Sequence, residues 1–286
     1  MPSTPSPLRY PGGKYSILPM VSELIKANSL ERGHYAEPYA GGCGLALGLL
    51  FKGFVHEVHL NDLDRSIWAF WDAVVNATDR FVDAIYATPV TMDEWERQKE
   101  IQISDCADDF EKAFSAFFLN RTNRSGVICK AGVIGGLNQD GKYKIDCRFN
   151  KDGLVGRIRR IEKYKHRIHL YNLDAVDFIQ AADDFLPEKS FLCIDPPYYK
   201  KGSTLYTNFY GPDDHKRLAD VILNISRPWI LTYDDAVEIQ RLYRGRRQFR
   251  FNLNYSAAEK RVGTELLVAS PWLRIPGELK VSTLAA

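Results

Sequence analysis

The stretch from His34 to Asp62 constrains the fold more tightly than any other part of the chain. HYAEPYAGGCG reads as a strand end running into a glycine-rich turn. GLALGLLFKG reads as a helix closed by Gly53, and VHEVHLNDLD as a short alternating strand ending at Asp62. Strand, helix and strand in that order form a βαβ unit, which requires a parallel sheet with a helix packed across it. The pattern recurs downstream. RIHLYNLDAVDFI is a strand and the turn after it, SFLCIDPPYY a short apolar strand meeting two prolines, and DDHKRLADVILNI a helix. PWILTYDD and ELLVAS are late strands. The expected fold is α/β, a mostly parallel sheet with helices on both faces.

Residues 65–165 interrupt that alternation and divide residues 1–64 from 166–286. SIWAFWDAVV, RFVDAIYA, TMDEWERQKEI and DDFEKAFSAFFLN read as helices, and LVGRIRRIEKYKHR as a basic helix. Between them Tyr143, Ile145, Cys147 and Phe149 alternate with Lys144, Asp146 and Arg148, as in a strand with one buried face. The Asn138–Gly141 run before it is a hairpin or loop signal. The 286 residues are 45% hydrophobic and 26% charged, which excludes a disordered or coiled-coil chain. No run of 18 apolar residues is present, and MPSTPSPLRYPGGK lacks the apolar core of a signal peptide. The five cysteines form no C-x-x-C pair, so neither a disulfide framework nor a cysteine zinc site is expected. Together these features imply a cytoplasmic protein.

The formal net charge of +2 conceals a strong asymmetry. Residues 120–170 hold thirteen Lys/Arg against four Asp/Glu, and residues 241–261 hold seven against one. Residues 79–111 hold ten acids and three bases. Two basic segments on an acidic body fit a polyanionic partner; solvated basic faces are the competing interpretation.

Two sites carry the chemistry. The glycine turn lies beside a helix N-terminus, and Asp62 follows Gly41 by 21 residues, a spacing suited to a ribose diol. Leu47 stands where a dinucleotide fingerprint has its third glycine, so the pair points to a nucleoside-containing cofactor without choosing one. A tight turn with a surface acid is the alternative. The second site is Asp195-Pro196-Pro197-Tyr198, at the C-terminal end of a buried strand, the sheet edge where ligands bind. Its prolines remove two backbone donors. A carboxylate and unopposed carbonyls then make an acceptor-only site suited to an exocyclic NH₂ group, and Tyr198 offers a face for a base. A proline-rich turn capping a strand is the competing view. PLRYPGGK is not a phosphate-binding Walker loop, because the spacing fails and Tyr15 follows Lys14. Lys14 suits a carboxylate and Tyr10 suits packing on a cofactor; a disordered basic terminus is the equal alternative. Finally, Asn120, Arg121, Asn123 and Arg124 in LNRTNRSG, with Lys130, Lys142, Lys144 and Arg148, supply residue types that read bases and phosphates.

In this order the pieces resemble the Dam-type N6-adenine-specific DNA methyltransferase family, with alpha-class motif order. The resemblance implies a Rossmann-like S-adenosylmethionine-dependent methyltransferase sheet with an inserted helical plus β-hairpin target-recognition domain at 65–165. The catalytic domain would be discontinuous, 1–64 and 166–286. The implied activity is methyl transfer from S-adenosylmethionine to a flipped-out adenine in duplex DNA, leaving S-adenosylhomocysteine and requiring no metal. Asp195, Pro196, Pro197 and Tyr198 inherit catalysis. Tyr10, Gly12, Lys14, Glu37, Tyr39, Gly41, Asp62, Leu63, Asp174 and Asp195 inherit cofactor contacts, with Asp177 a rival to Asp174. The eight residues from Asn120 to Arg148 named above inherit DNA contacts. Cys43 departs from the family, standing where a second glycine is usual. A prokaryotic or phage enzyme is implied, and a monomer suffices. The alternatives are an N-methyltransferase acting on RNA or protein glutamine, which usually carries Asn before the prolines; a dinucleotide oxidoreductase, which leaves DPPY unexplained; and a catalytically inactive DNA-binding relative.

Overall fold

The computed structural model describes residues 4–10, 12–200, 210–255, 261–277 and 282–283. After α1 (Leu18–Ala27) come β1 (His34–Glu37), α2 (Gly44–Phe51) and β2 (Glu57–Asn61), with β1 and β2 paired in parallel. Helices α3 (Arg65–Asn76), α4 (Thr78–Ala87), α5 (Met92–Ile103), α6 (Asp109–Thr122) and α7 (Lys151–Glu162) follow. Then come β3 (Ile168–Tyr171), α8 (Ala175–Gln180), α9 (Ala182–Phe185), β4 (Ser190–Ile194), α10 (Pro212–Ile222) and β5 (Trp229–Asp234). The chain closes with α11 (Val237–Leu242), β6 (Arg247–Tyr255), β7 (Arg261–Ala269) and β8 (Ser282–Thr283).

The strands form one eight-stranded sheet in the order β3-β2-β1-β4-β5-β7-β6-β8. β3, β2, β1, β4 and β5 are parallel, and β7 enters antiparallel between β5 and β6. Strand order reverses between β1 and β4, so a crevice opens there at the C-terminal ends of the strands. Every residue of β4 is buried, which explains its continuous apolar run in place of alternation. Local signals set the helix starts. Asp64 accepts the Ser66 N–H at α3, Asp108 and Glu111 form a capping box at α6, and Asn150 accepts the Gly153 N–H at α7.

One expectation needs correction. The alternating stretch at 143–149 is not a strand; it contains a 3-10 turn, Ile145–Arg148. Ile145 and Phe149, four residues apart, are buried, whereas Tyr143 and Cys147 on the supposed buried face are exposed. No hairpin partner is present among the described residues. The Gln139 side chain organises the loop instead, donating to the Ile134 and Gly136 carbonyls and accepting the Ile145 N–H.

Segment 65–165 shares its core with the sheet. Phe70, Phe81, Phe117 and Phe149 pack ring against ring in the same buried cluster as Leu47 and Val58 of the βαβ unit. The segment is a helical layer continuous with one face of the sheet. On the other face, α8, α10 and α11 cover a second cluster around Leu192, Leu231 and Val268. No described helix is long and apolar enough to cross a membrane.

Candidate active site

Lys14 brings the N-terminal segment into the crevice. Its 3-10 turn, Lys14–Ile17, packs the side chain inward to 7% exposure. The Lys14 Nζ lies 2.8 Å from Asp195 Oδ2 and 3.7 Å from Glu265 of β7, and donates to the Tyr198 hydroxyl at 2.8 Å. It also donates to the Gly12 carbonyl at 3.3 Å, where the Gly12 backbone is left-handed. Burial alone would lower the Lys14 pKa, but Asp195 and Glu265 outweigh it and raise the value. The Tyr198 hydroxyl donates in turn to Glu265. Asp195 just follows β4, and its other oxygen accepts from Thr232 Oγ1 of β5 at 2.7 Å. The carboxylate is therefore held from two sides, with 21% of its side chain still exposed.

The loop after Asp195 turns two of its donors away. Pro196 and Pro197 have no N–H, and the N–H groups of Tyr199 and Lys200 both donate to Asp234 at 2.9 Å. Tyr198 is only 5% exposed, so its ring presents no open face for a stacked base in this conformation. That corrects the expectation of a ready stacking platform: the hydroxyl joins Lys14 to Glu265 instead.

The residues expected to contact a cofactor gather on the same sheet edge. Glu37 ends β1, accepts from the Tyr35 hydroxyl at 2.9 Å, and has its pKa pushed up to about 8, chiefly by burial. Asp62 accepts the Gly41 N–H at 2.8 Å and the Asp64 N–H at 3.0 Å. Burial raises its pKa to about 7 despite the Gly41 and Asp64 N–H bonds. The glycines of the turn admit the Tyr10 ring: a Cβ on Gly41 would lie 2.7 Å from it, and one on Gly42 2.6 Å from the Tyr10 Cβ. Cys43 takes a left-handed backbone, φ 48°, so the turn survives at a conformational cost of about 1–2 kcal/mol. The Tyr39 hydroxyl bonds Tyr210 at 3.0 Å. Asp174 caps α8 by accepting the Val176 N–H, whereas Asp177 points outward, 3.9 Å from Arg217.

Three residues absent from the candidate set hold this edge together. Asn61 is fully buried; it donates to the Pro38 and Leu173 carbonyls and accepts the Leu173 N–H. Asn172 donates to the Asp62 and Leu63 carbonyls. The loops after β2 and β3 are thus stitched together, with Leu63 and Leu173 left 46% and 44% exposed between Asp62 and Asp174. Trp71 of α3 donates its indole N–H to the Gly41 carbonyl at 2.8 Å, tying the glycine turn to the helical layer. A polar residue inside a motif was the available signal; the asparagines in LNDLD and YNLDAVDF carried it, and Trp71 did not.

The expected DNA residues divide. Asn120 is buried, accepting the Arg9 N–H and donating to the Arg9 and Gly126 carbonyls. Asn123 is buried, accepting from the Trp95 indole and donating to the Val127 and Ile128 carbonyls. Neither amide faces outward, so both are removed from the candidate base-reading set. Arg124, Lys130, Lys142, Lys144 and Arg148 are exposed. Arg124 and Lys142 border a concavity of about 330 Å³ with Gly135, Gly136, Asp140 and Tyr143. Arg121 is half-buried, donates to the Arg148 and Pro7 carbonyls, and has its pKa lowered to about 9 by burial and by Arg9, Arg157 and Arg148.

A doubly wound sheet with β7 inserted antiparallel, an acidic cofactor edge beside a glycine turn, and Asp-Pro-Pro-Tyr at the switch point together define a Rossmann-like S-adenosylmethionine-dependent methyltransferase fold. The chain belongs to the D12 class N6 adenine-specific DNA methyltransferase family, whose model matches residues 10–259. It is 26% identical over 234 residues to the type II methyltransferase M.MjaIII of Methanocaldococcus jannaschii, covering 74% of this chain and 77% of that one. A crystallised protein of Pyrococcus horikoshii described as an RNA methyltransferase aligns over 97% of this chain and 87% of its own, at 10% identity and TM-score 0.42. A Legionella pneumophila protein aligns over 90% and 85%, at 9% identity and TM-score 0.33. Neither structural likeness bears on the reaction, which rests on the family and the site.

Proposed function

We propose that this DNA adenine methyltransferase transfers the methyl group of S-adenosylmethionine to N6 of an adenine flipped out of duplex DNA. The observation that carries the reading is the Asp195 carboxylate, fixed by Lys14 and Thr232 above a loop whose Tyr199 and Lys200 donors are taken by Asp234. The residues at the adjoining edge suit the cofactor: Asp62 for the ribose hydroxyls, Asp174 for the adenine amino group, and the exposed Leu63 and Leu173 for the ring. When bound, the cofactor supplies an activated methyl group on a sulfonium.

The protein's part is placement and electrostatics. The N6 lone pair is delocalised into the adenine ring and is a weak nucleophile. Asp195 and the Pro196 carbonyl accept the two N6 hydrogens, draw the nitrogen toward tetrahedral geometry and stabilise the positive charge developing on it. The bound cofactor would supply the methyl group, its sulfur–methyl bond breaking as the N6–methyl bond forms, and the surplus N6 proton would pass by way of the Asp195 carboxylate to solvent, giving neutral N6-methyladenine. Extrusion of the base costs a few kcal/mol, offset by pocket contacts. Tyr198 acts as a positioning residue that holds Lys14 against Asp195 through its hydroxyl. Duplex DNA lies along the basic face that includes Arg9, Arg121, Arg148 and Arg157, where the charges of Arg9, Arg157 and Arg148 all press on Arg121. Modification of a restriction site is the setting that the M.MjaIII relationship favours.

The test is Asp195→Ala. Tritium transfer from labelled cofactor to DNA adenine should fall at least 10³-fold, on the order of losing a principal transition-state contact. S-Adenosylhomocysteine binding should change by less than about tenfold. Wild-type turnover in that variant overturns the assignment.

A further inference from the structure

The end of the sheet opposite the active site carries a cluster for which methyl transfer has no use. His34 is in register with Glu57, and His59 with His169, across three neighbouring parallel strands. Residues two apart on a strand share a face, so Glu57 and His59 of β2 stand together with His34 and His169 on either side. His34 Nδ1 lies 2.9 Å from His59 Nε2 and 3.8 Å from Glu57 Oε2. One ligand atom from each of His34, Glu57 and His59 falls within 4.8 Å of the others.

We propose that His34, Glu57 and His59 form a site for one divalent transition-metal ion, Zn²⁺ foremost, which braces β1 against β2. Two imidazoles and a carboxylate are a zinc donor set. Zinc–ligand distances near 2.0–2.1 Å put neighbouring ligand atoms of a tetrahedral site about 3.3 Å apart. The His34–His59 and His34–Glu57 separations bracket that value, and the three ligand atoms already lie within 4.8 Å of one another, close enough for side-chain rotation to gather them on one ion. The outer contacts fit as well. His59 Nδ1 lies 3.0 Å from the Tyr171 hydroxyl, which leaves its Nε2 lone pair for the ion. His169 Nε2 lies 2.6 Å from Glu57 Oε2 and orients the carboxylate. His59 is buried, while the His34 and Glu57 side chains are 22% and 26% exposed, so the ion has access and a fourth position for water. β1 has only four residues, and a cross-strand ion at its start would restrain it where ladder bonds are few.

The test uses the full chain without a histidine tag, stripped by chelator and titrated with ZnCl₂ by calorimetry, then with Co²⁺ by visible absorption. One ion per chain is expected, with a raised melting temperature at saturating Zn²⁺. The cobalt spectrum should show d–d bands without the thiolate charge-transfer band that exposed Cys106, Cys129 or Cys147 would give. Glu57→Gln keeps the side-chain volume, should fold, and should bind at least tenfold more weakly with methyl transfer unchanged. His169→Ala should weaken binding about 10–100-fold, as expected for an outer-shell partner. Absence of stoichiometric binding, a thiolate band, or equal zinc affinity in Glu57→Gln overturns the site. His34→Ala should abolish stoichiometric binding; if that variant fails to fold, Glu57→Gln decides alone.

Discussion

Tyr198 is where the family pattern and the geometry pull apart, and a one-oxygen change separates them. If the ring served only for stacking, Tyr198→Phe would be silent. The hydroxyl bridges Lys14 and Glu265, so Tyr198→Phe should instead lower kcat about tenfold or more, with KM for DNA little changed. Steady-state kinetics on a duplex substrate check this; a silent Phe variant would return Tyr198 to stacking alone. Asp62 gives a second prediction. Its folded pKa, about 7, lies above the unfolded value, so its contribution to stability is present at acid pH and is lost as pH rises through about 7. With Asp62 holding the ribose, as proposed, cofactor binding should run the other way, because ribose hydroxyls would donate to the ionised carboxylate. S-Adenosylhomocysteine affinity should rise about tenfold from pH 6 to pH 8, and Asp62→Asn should remove that step. The acids and Lys14 were legible in the sequence because motif spacing places them. What was not legible is how they are satisfied. Thr232, Asp234 and Glu265 stand 37, 35 and 67 residues from their partners Asp195, Tyr199 and Tyr198, separations that no spacing rule spans.

At the scale of elements, the sequence yielded the βαβ unit, the helical run after Asp64 and strands β3, β4, β5 and β7, because each carries a local signal of its own: a period, a cap or, in β4, an unbroken apolar run. It misled at 143–149, where a period-two pattern met no partner strand and the buried pair Ile145 and Phe149 settled into a turn. It left β6 unmarked, because charge dominates a segment in which buried Phe249 and Phe251 alternate with Gln248 and Arg250. The basic residues there are partly internal: Arg247 donates to the Ser270 and Pro271 carbonyls, and Arg250 pairs with Asp235. The junction between α3 and the glycine turn rests on Trp71. Trp71→Phe keeps an aromatic ring in the core but leaves a small cavity and deprives the Gly41 carbonyl of its indole donor. A loss of about 1–3 kcal/mol in denaturant-monitored stability is expected, and cofactor affinity should fall about fivefold. Unchanged affinity would make the Trp71 contact structural only.

At the scale of the whole molecule, a net charge of +2 says little, because the charges that matter are grouped and some are already spent. The second basic segment commits Arg247 and Arg250 to the protein itself, so the DNA face is expected on the first. There Arg124, Lys142 and Arg148 are exposed, beside the Arg9 and Arg121 contacts that fix the surface. Binding of a duplex should weaken linearly in log–log form with salt, by about 0.9 per phosphate neutralised. Replacing Arg124, Lys142 and Arg148 together by Gln should reduce that slope by about 2.7 if each meets one phosphate. Lys26, Lys52 and Lys189 are exposed elsewhere, near the opposite end of the sheet. Replacing those three changes the net charge equally, so a general attraction to DNA predicts the same loss from either set, whereas a defined face predicts loss only from the first. Fluorescence anisotropy over a salt series distinguishes the two, and equal slopes in both triple variants would remove the first segment from the DNA face.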